Sequence, residues 1–376
     1  LTPSFWEFEH WFDHPDFTVV GAGFTGLSTA IHLKKARPHA RVLLLDRAPI
    51  PQGGSTKNAG FACFGSPSEV LMDLETHESA EVVDLVRRRW QGIQKLRELV
   101  GDRPMNYEGR GSHEVYLRKD EALKDRCLDS LEGLNELLSP IFGQDPYRHT
   151  SGVTSFNGIC SDAVAMPLEG QLNPVGAVEA LGSLCDELGV RRLNGWELTH
   201  FQPNGEGVLC RWGGLEFTTG ALCITTNGFA ERWIPEEVEP ARAQVLITHP
   251  VERLDFQGSF HLDRGYTYFR TVGKRVLLGG GRQLDPEGER TGLMGTSSHI
   301  QAYLEELLRE VILPGREVRI DRRWSGIMGV GRGKQPVLRR LEGEVYAAVR
   351  LGGMGVALGA LLGEELASMV LEQNRG

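Results

Sequence analysis

The chain has 376 residues, 40% of them hydrophobic, with 41 Lys and Arg against 50 Asp and Glu for a net charge of −9. That length holds two to three domains or one large interleaved body, and the acidic balance argues against a dedicated nucleic-acid binder. Glycine is the outlier at 47 residues, where average composition gives roughly 26; no G-X-Y period accompanies it, so collagen is excluded.

The N-terminal stretch LTPSFWEFEHWFDH is acidic and aromatic. It lacks the basic and apolar regions of a signal peptide. Phe5, Trp6, Phe8, Trp11 and Phe12 are expected to pack on the body, because exposing them together is costly. His10 and His14 have no further ligands beside them and read as packing or surface residues; no metal site is expected.

Residues 17–20 read as a buried strand running into a glycine turn. FTGLSTAIHLKKA then reads as a helix, with Lys34 and Lys35 in its last turn and Pro38 beyond. Residues 41–46 form a second strand, apolar on both faces as a central parallel strand must be. Gly21, Gly23 and Gly26 spell G-x-G-x-x-G between strand and helix, and Asp46 stands 20 residues after Gly26. Gly21 permits the tight turn, Gly23 lets backbone approach a pyrophosphate, and Gly26 lets the helix pack close to the sheet. The helix N-terminus offers free N–H groups to phosphates, and Asp46 can accept from ribose hydroxyls. Ala22, Phe24, Thr25 and Arg47 complete the expected dinucleotide contacts. The motif alone does not separate FAD from NAD.

The next segment, Gly53 to Gly60, is small and polar with one cation, Lys57. It suits a backbone loop passing close to a flat ring and a phosphate. Cys63 follows and reads as a buried structural thiol. Apolar spacing predicts an amphipathic helix over 79–100, a weaker one over 118–139 and a clean one over 174–189. Strands follow at 208–212, 216–219, 221–225, 242–249 and within 266–281, and a helix at 299–312. Tyr268 and Arg270 lie at i, i+2 on a predicted strand and share a face. Such a pair can clamp a carboxylate, the arginine bidentately. The chain closes with a strand at 344–349, a glycine turn and a helix at 354–372, where Gly355, Gly359 and Gly363 share one face. That face invites close approach by another element. The longest uncharged apolar run, 351–363, is 13 residues, short of the about 20 a membrane span needs. Six scattered cysteines without CxxC read as reduced thiols of a cytoplasmic protein.

GGSTKNAG after such a βαβ unit resembles the flavin-contacting loop, G-A-S-x-R-N-x-G, of the D-amino-acid-oxidase superfamily of FAD-dependent oxidoreductases. That group includes glycine oxidase, sarcosine oxidase and γ-glutamylputrescine oxidoreductase. Residues 323–329, RWSGIMG, resemble the R-W-x-G-x-x-G of the γ-glutamylputrescine oxidoreductase branch. Gln335 to Leu338 fits the x-P-x-I/F that follows, and 353–358, GMGVAL, resembles its G-H-G-V-x-x turn. Thr226-Asn227-Gly228 and Tyr268-Phe269-Arg270 with Leu277 to Gly281 match family segments more loosely.

The resemblance implies an α/β fold, with a Rossmann-type FAD domain (1–72, 151–238 and 322–376) interleaved with a smaller α+β substrate domain (73–150 and 239–321) built on a mainly antiparallel sheet. It implies non-covalent FAD, since the chain has no cysteine after Cys223 and no histidine in 50–65 to form the family's usual linkages. Cofactor contacts carried over are Gly54, Ser55, Thr56, Lys57, Asn58, Ala59, Gly60, Leu198, Thr226, Asn227, Gly228, Trp324, Gly326, Gly352, Gly353, Met354, Gly355, Val356 and Ala357. Lys57 and Met354 would lie on the flavin face with Tyr268 and Arg270 as catalytic candidates. The helix N-terminus near 354–356 would face the N1–C2=O edge of the flavin and stabilise its reduced form.

Two carboxylate-binding arginines of glycine oxidase are replaced, at positions matching Met328 and Gly353. The lysine that assists oxygen chemistry in sarcosine oxidase matches Leu277, so the acceptor is oxygen or another species. The expected activity is oxidation of a C–N bond in an amine or amino acid, with hydride transfer to flavin N5 and hydrolysis of the imine. A 2-hydroxy acid or glycerol-phosphate dehydrogenase is the second reading. A flavin-dependent tRNA-base-modifying enzyme is the third, leaning on the local basic runs Arg87–Arg89 and Arg322–Arg323.

Overall fold

The computed structural model describes residues 3–152 and 155–373. Its first sheet has six strands in the order Val337–Arg340, Val345–Val349, Ala221–Ile224, Phe17–Val20, Val42–Asp46 and Arg191–Asn194. All are parallel except the edge strand Val337–Arg340. The central strands are apolar at every position because both faces are covered. Val19, Val42 and Leu44 point into a core built with helices Phe24–Ala36, Pro174–Glu187 and Gly355–Gln373. Val20, Leu43 and Leu45 point the other way, into a core closed by the antiparallel meander of His200–Asn204, Gly207–Trp212 and Leu215–Thr219. This is a Rossmann-type domain.

The second sheet has eight strands in the order Ile320–Val330, Glu239–Thr248, Arg275–Gly280, Thr267–Val272, Ser259–Leu262, Ser112–Glu114, Asp162–Met166 and Arg148–Ser151. Every neighbouring pair is antiparallel except Ser259–Leu262 with Ser112–Glu114. One face packs on helix Ser298–Leu307 and the π-type turn Leu308–Ile312. Strand Asp162–Met166 and most of Ile320–Val330, expected in the dinucleotide-binding domain, pair within this second sheet.

Helices Ser79–Val100 and Pro174–Glu187 form where the periodicity places them. The weaker pattern over 118–139 resolves into two helices, Glu121–Asp129 and Leu131–Phe142, broken at Ser130. The segment read as a loop after Gly53 contains a single helical turn, Gly54–Lys57.

At the N-terminus, Ser4 and Glu7 form a capping box for helix Phe5–Trp11. Phe12 is buried, and Phe8 and Trp11 pack beside it against the meander core. Phe5 and Trp6 depart from the expected packing, being 66% and 77% exposed. A two-turn helix can lay only one stripe on the body, and these two residues start it beyond that contact. Five of the six cysteines are buried and none is paired among the described residues. No helix among those residues is long and apolar enough to cross a membrane.

Candidate active site

A single cavity of about 730 Å³ lies between the two sheets and reaches from the glycine turn after Val20 to Tyr268 and His261 of the second sheet. At its first end, Gly21 has φ +107°, a conformation that favours glycine. Asp46 spans the turn: Oδ2 accepts from Ala22 N at 2.9 Å and Oδ1 from Ala48 N at 3.0 Å. A Cβ on Gly26 would overlap the Gly21 carbonyl oxygen. Gly26 therefore serves helix–sheet packing and does not line the cavity. Phe24 N donates to Ser55 Oγ at 3.0 Å, so the one-turn helix after Gly53 is tied to the N-terminus of the first long helix.

Ala22, Gly23, Phe24, Thr25, Arg47, Leu198, Thr226 and Asn227 all line this end. The Arg47 guanidinium stacks 3.9 Å over the Phe229 ring. The hydroxyls of Thr25 and Thr226 are buried and have no partner among the described residues. A glycine-floored turn, the free N–H groups of a helix start and two unpartnered hydroxyls fit the diphosphate and ribose of a dinucleotide. The volume is that of a cofactor-sized site.

The middle of the cavity is glycine-lined on two sides. Residues Gly54 to Gly60 form one wall. Asn58 braces it, donating from Nδ2 to Ser55 O at 2.8 Å and accepting from Gly60 N at 2.8 Å. Trp324 does not line the cavity. Its Nε1 donates to Lys57 O at 2.9 Å and so holds that wall from behind. Gly228 is likewise behind the surface, where a Cβ would overlap Met328 O.

The opposite wall is Gly352 (φ +56°), Gly353 (φ +85°), Met354 and the start of helix Gly355–Gln373, with Val356 and Ala357. Its first N–H groups are free for an acceptor. Further along this helix, Gly359 and Gly363 do different work. Cβ atoms there would lie 2.7 Å from Phe24 Cβ and 2.5 Å from Ser28 Cβ. Ser28 Oγ also donates to Ala360 O at 2.6 Å. The glycine run is thus half cavity wall and half helix-to-helix contact.

The far end is the face of the eight-stranded sheet turned away from helix Ser298–Leu307. Strand register carries one row across it: Val245, Gly279, Tyr268 and His261 are successive partners. The Tyr268 ring lies across Gly279, where a Cβ would be 2.6 Å from it. Burial pushes its phenol up to about 12. Cys63 also lines this end, its thiol pushed up by burial and then by Glu169 and Glu69.

Glu69 is held at about 2: burial opposes its charge, but Arg89 at 3.0 Å and Lys334 at 3.2 Å outweigh it. His261 is 6% exposed, and its Nε2 is 3.4 Å from Glu169 Oε2. Sequence reading missed His261 and Glu169. The signal for His261 was the turn Asp263–Gly265, which as a hairpin would have set His261 opposite Tyr268.

Arg270 departs from its expected role as a carboxylate clamp. It is buried, with Nε donating to Ala59 O at 2.5 Å and one terminal nitrogen to Leu172 O at 3.0 Å. Two of its three nitrogens are bonded to backbone carbonyls, and burial lowers it to about 10. Cations that do line the cavity on this side include Arg89, Arg264, Arg282 and Lys334. Met328 lines it too, at the position of one replaced family arginine.

The chain is similar to known proteins along its length. The probable oxidoreductase OrdL of Haemophilus influenzae is 22% identical over 377 residues, covering 96% of this chain and 83% of the relative. The crystal structure of L-proline dehydrogenase from P. horikoshii superposes with a TM-score of 0.76 at 16% identity, covering 96% of this chain and 94% of that one. Glycine oxidase from Geobacillus kaustophilus does so with a TM-score of 0.76 at 18% identity, covering 97% and 96%. The family model described as FAD dependent oxidoreductase (DAO) matches residues 16–369. With that match across the cradle and both sheets, the chain belongs to the DAO family of FAD-dependent oxidoreductases.

Proposed function

We infer that the enzyme oxidises the C–N bond of a small amine or amino acid, one that carries a carboxylate. The observation that carries this reading is the continuity of one cavity from the dinucleotide cradle to a wall of half-buried Tyr268 and buried His261. FAD bound there supplies a two-electron acceptor for hydride removal from carbon. Gly21 to Thr25, Asp46 and Thr226 would hold its diphosphate and ribose end, and the 54–60 and 352–357 walls its ring.

The remaining tasks belong to the protein: orienting the substrate carbon, excluding water and keeping the amine neutral. Tyr268 closes the wall as a hydrogen-bond donor. Arg264 and Arg282 offer positive charge to a carboxylate at the cavity mouth, in place of the arginines that Met328 and Gly353 replace. Glycine oxidase and L-proline dehydrogenase, both named for amino-acid substrates, share the fold and support the reading.

A large polyanionic substrate is less well served. Of the basic run 87–89, Arg87 pairs with Asp84, Arg88 with Glu365 and Arg89 with Glu69. The test is anaerobic bleaching of the purified yellow protein by a panel of amino acids, N-methyl amino acids, γ-glutamyl amines and 2-hydroxy acids. Reduction by a carboxylated amine supports the reading. Reduction by hydroxy acids alone overturns it.

A further inference from the structure

We propose that His261 accepts the proton of the substrate ammonium at Nδ1, with Glu169 as the positioning residue that holds Nε2–H. This assignment rests on the amine reading above. Its structural basis is a buried polar pair, His261 and Glu169, of which His261 lines the far end of the cavity. Among the described residues, Nε2 of His261 is buried, has no hydrogen-bond partner of good geometry and lies 3.4 Å from Glu169 Oε2.

Glu169 is itself built in. Oε1 accepts from Phe64 N at 2.9 Å and from Gly65 N at 3.3 Å, and Ser112 Oγ donates to Oε2. Donors on both oxygens are what an acceptor-only carboxylate takes. An imidazole nitrogen facing such an oxygen carries its hydrogen there, which leaves the Nδ1 lone pair for the cavity occupant.

The surroundings leave His261 alone in this role. From the antiparallel neighbour strand comes Tyr268, held protonated by burial. From the parallel neighbour come Glu114 and His113. Burial pushes Glu114 up, and Ser66, Ser68 and Tyr116 occupy its oxygens. Burial pushes His113 down. From helix Pro67–Thr76 comes Glu69, ionised and paired with Arg89 and Lys334. Cys63 stays a thiol. For His261, burial opposes the charged form, but Glu169 beside it, with Glu114 and Glu69 further off, outweighs burial and holds the imidazole above its ordinary value.

The step balances without a co-reactant. The N–H bond of the ammonium breaks, its electron pair stays on the substrate nitrogen, and the proton forms Nδ1–H. The resulting imidazolium is countered by Glu169.

The test uses the holoenzyme and two readouts. In the first, the rate of anaerobic flavin reduction by the best amine of the panel is followed against pH. Wild type should lose about tenfold per pH unit below the imidazole's value, and His261→Asn should lose that limb and on the order of 10²–10⁴ in rate. Glu169→Gln should move the limb to lower pH. In the second, ring ¹⁵N NMR of the holoenzyme, with the His261 signal assigned by its loss in His261→Asn, should show Nε2–H and a bare Nδ1 in the neutral form. Its titration should fall in Glu169→Gln, or in Glu169→Asp should the amide variant not fold. A His261→Asn enzyme that keeps the acidic limb and the rate, or a neutral His261 protonated at Nδ1, overturns the pair while the amine reading stands. A wild-type flavin bleached by no amine overturns both.

Discussion

Arg270 offers the sharpest separation between the residue as a substrate group and the residue as structure. Substituting Arg270→Met removes the two donors that satisfy Ala59 O and Leu172 O. Each buried carbonyl left without a partner costs about 1–3 kcal/mol, or about 2–6 for both. Relief from holding a buried guanidinium offsets part of this, so about 2–4 kcal/mol is expected. For 376 residues, at about 2.1 cal/mol/K each, that is a fall of about 3–5 °C in thermal midpoint. Ala59 and Gly60 line the cavity, so the loosened wall should also release flavin more readily. The assays are differential scanning fluorimetry, flavin retention on dilution, and KM for the amine in the fraction that keeps its flavin. Arg270→Lys should recover part of the midpoint, since one ammonium can still reach one carbonyl. An unchanged midpoint and flavin content with KM raised about 100-fold, the mark of a lost carboxylate clamp, would refute the reasoning.

Gly26→Ala should purify with little or no flavin, because a methyl there overlaps the Gly21 carbonyl oxygen and lies 2.6 Å from Thr225 Oγ1; the flavin-to-protein absorbance ratio reads this directly. Glu69, held at about 2 in the fold, lies below its unfolded value, so its contribution is present above that unfolded value and is lost as pH falls toward 2. The difference in thermal midpoint between wild type and Glu69→Gln should therefore be largest at neutral pH and shrink between about pH 5 and pH 2; a difference independent of pH would contradict the assignment. Acid precipitation should leave the yellow colour in the supernatant, as non-covalent FAD requires, and a yellow pellet would show a covalent link.

The first βαβ unit was legible because its signals are local. Strand Phe17–Val20, the G-x-G-x-x-G turn, helix Phe24–Ala36 and Asp46 all fall within one short stretch of chain, where sterics and helix-end hydrogen bonding dictate the geometry. The helix Ser79–Val100 was legible for the same reason, one apolar stripe at helical period. The Arg270 role was not, although the pairing of faces at Tyr268 and Arg270 follows from strand periodicity. Which of two residues on a face meets the cavity depends on what covers each one, and Arg270 is covered by the Ala59 and Leu172 carbonyls from remote segments. Likewise, Gly355 and Gly359 are alike in sequence, yet one lines the cavity and the other receives the helix Phe24–Ala36.

The pairing of His261 with Glu169 lay furthest from view. It joins a strand residue to a turn residue 92 positions earlier through the register of the eight-stranded sheet. Local propensity carries no information about such a contact, because a side chain's environment is set by long-range packing and the backbone ladder that aligns it.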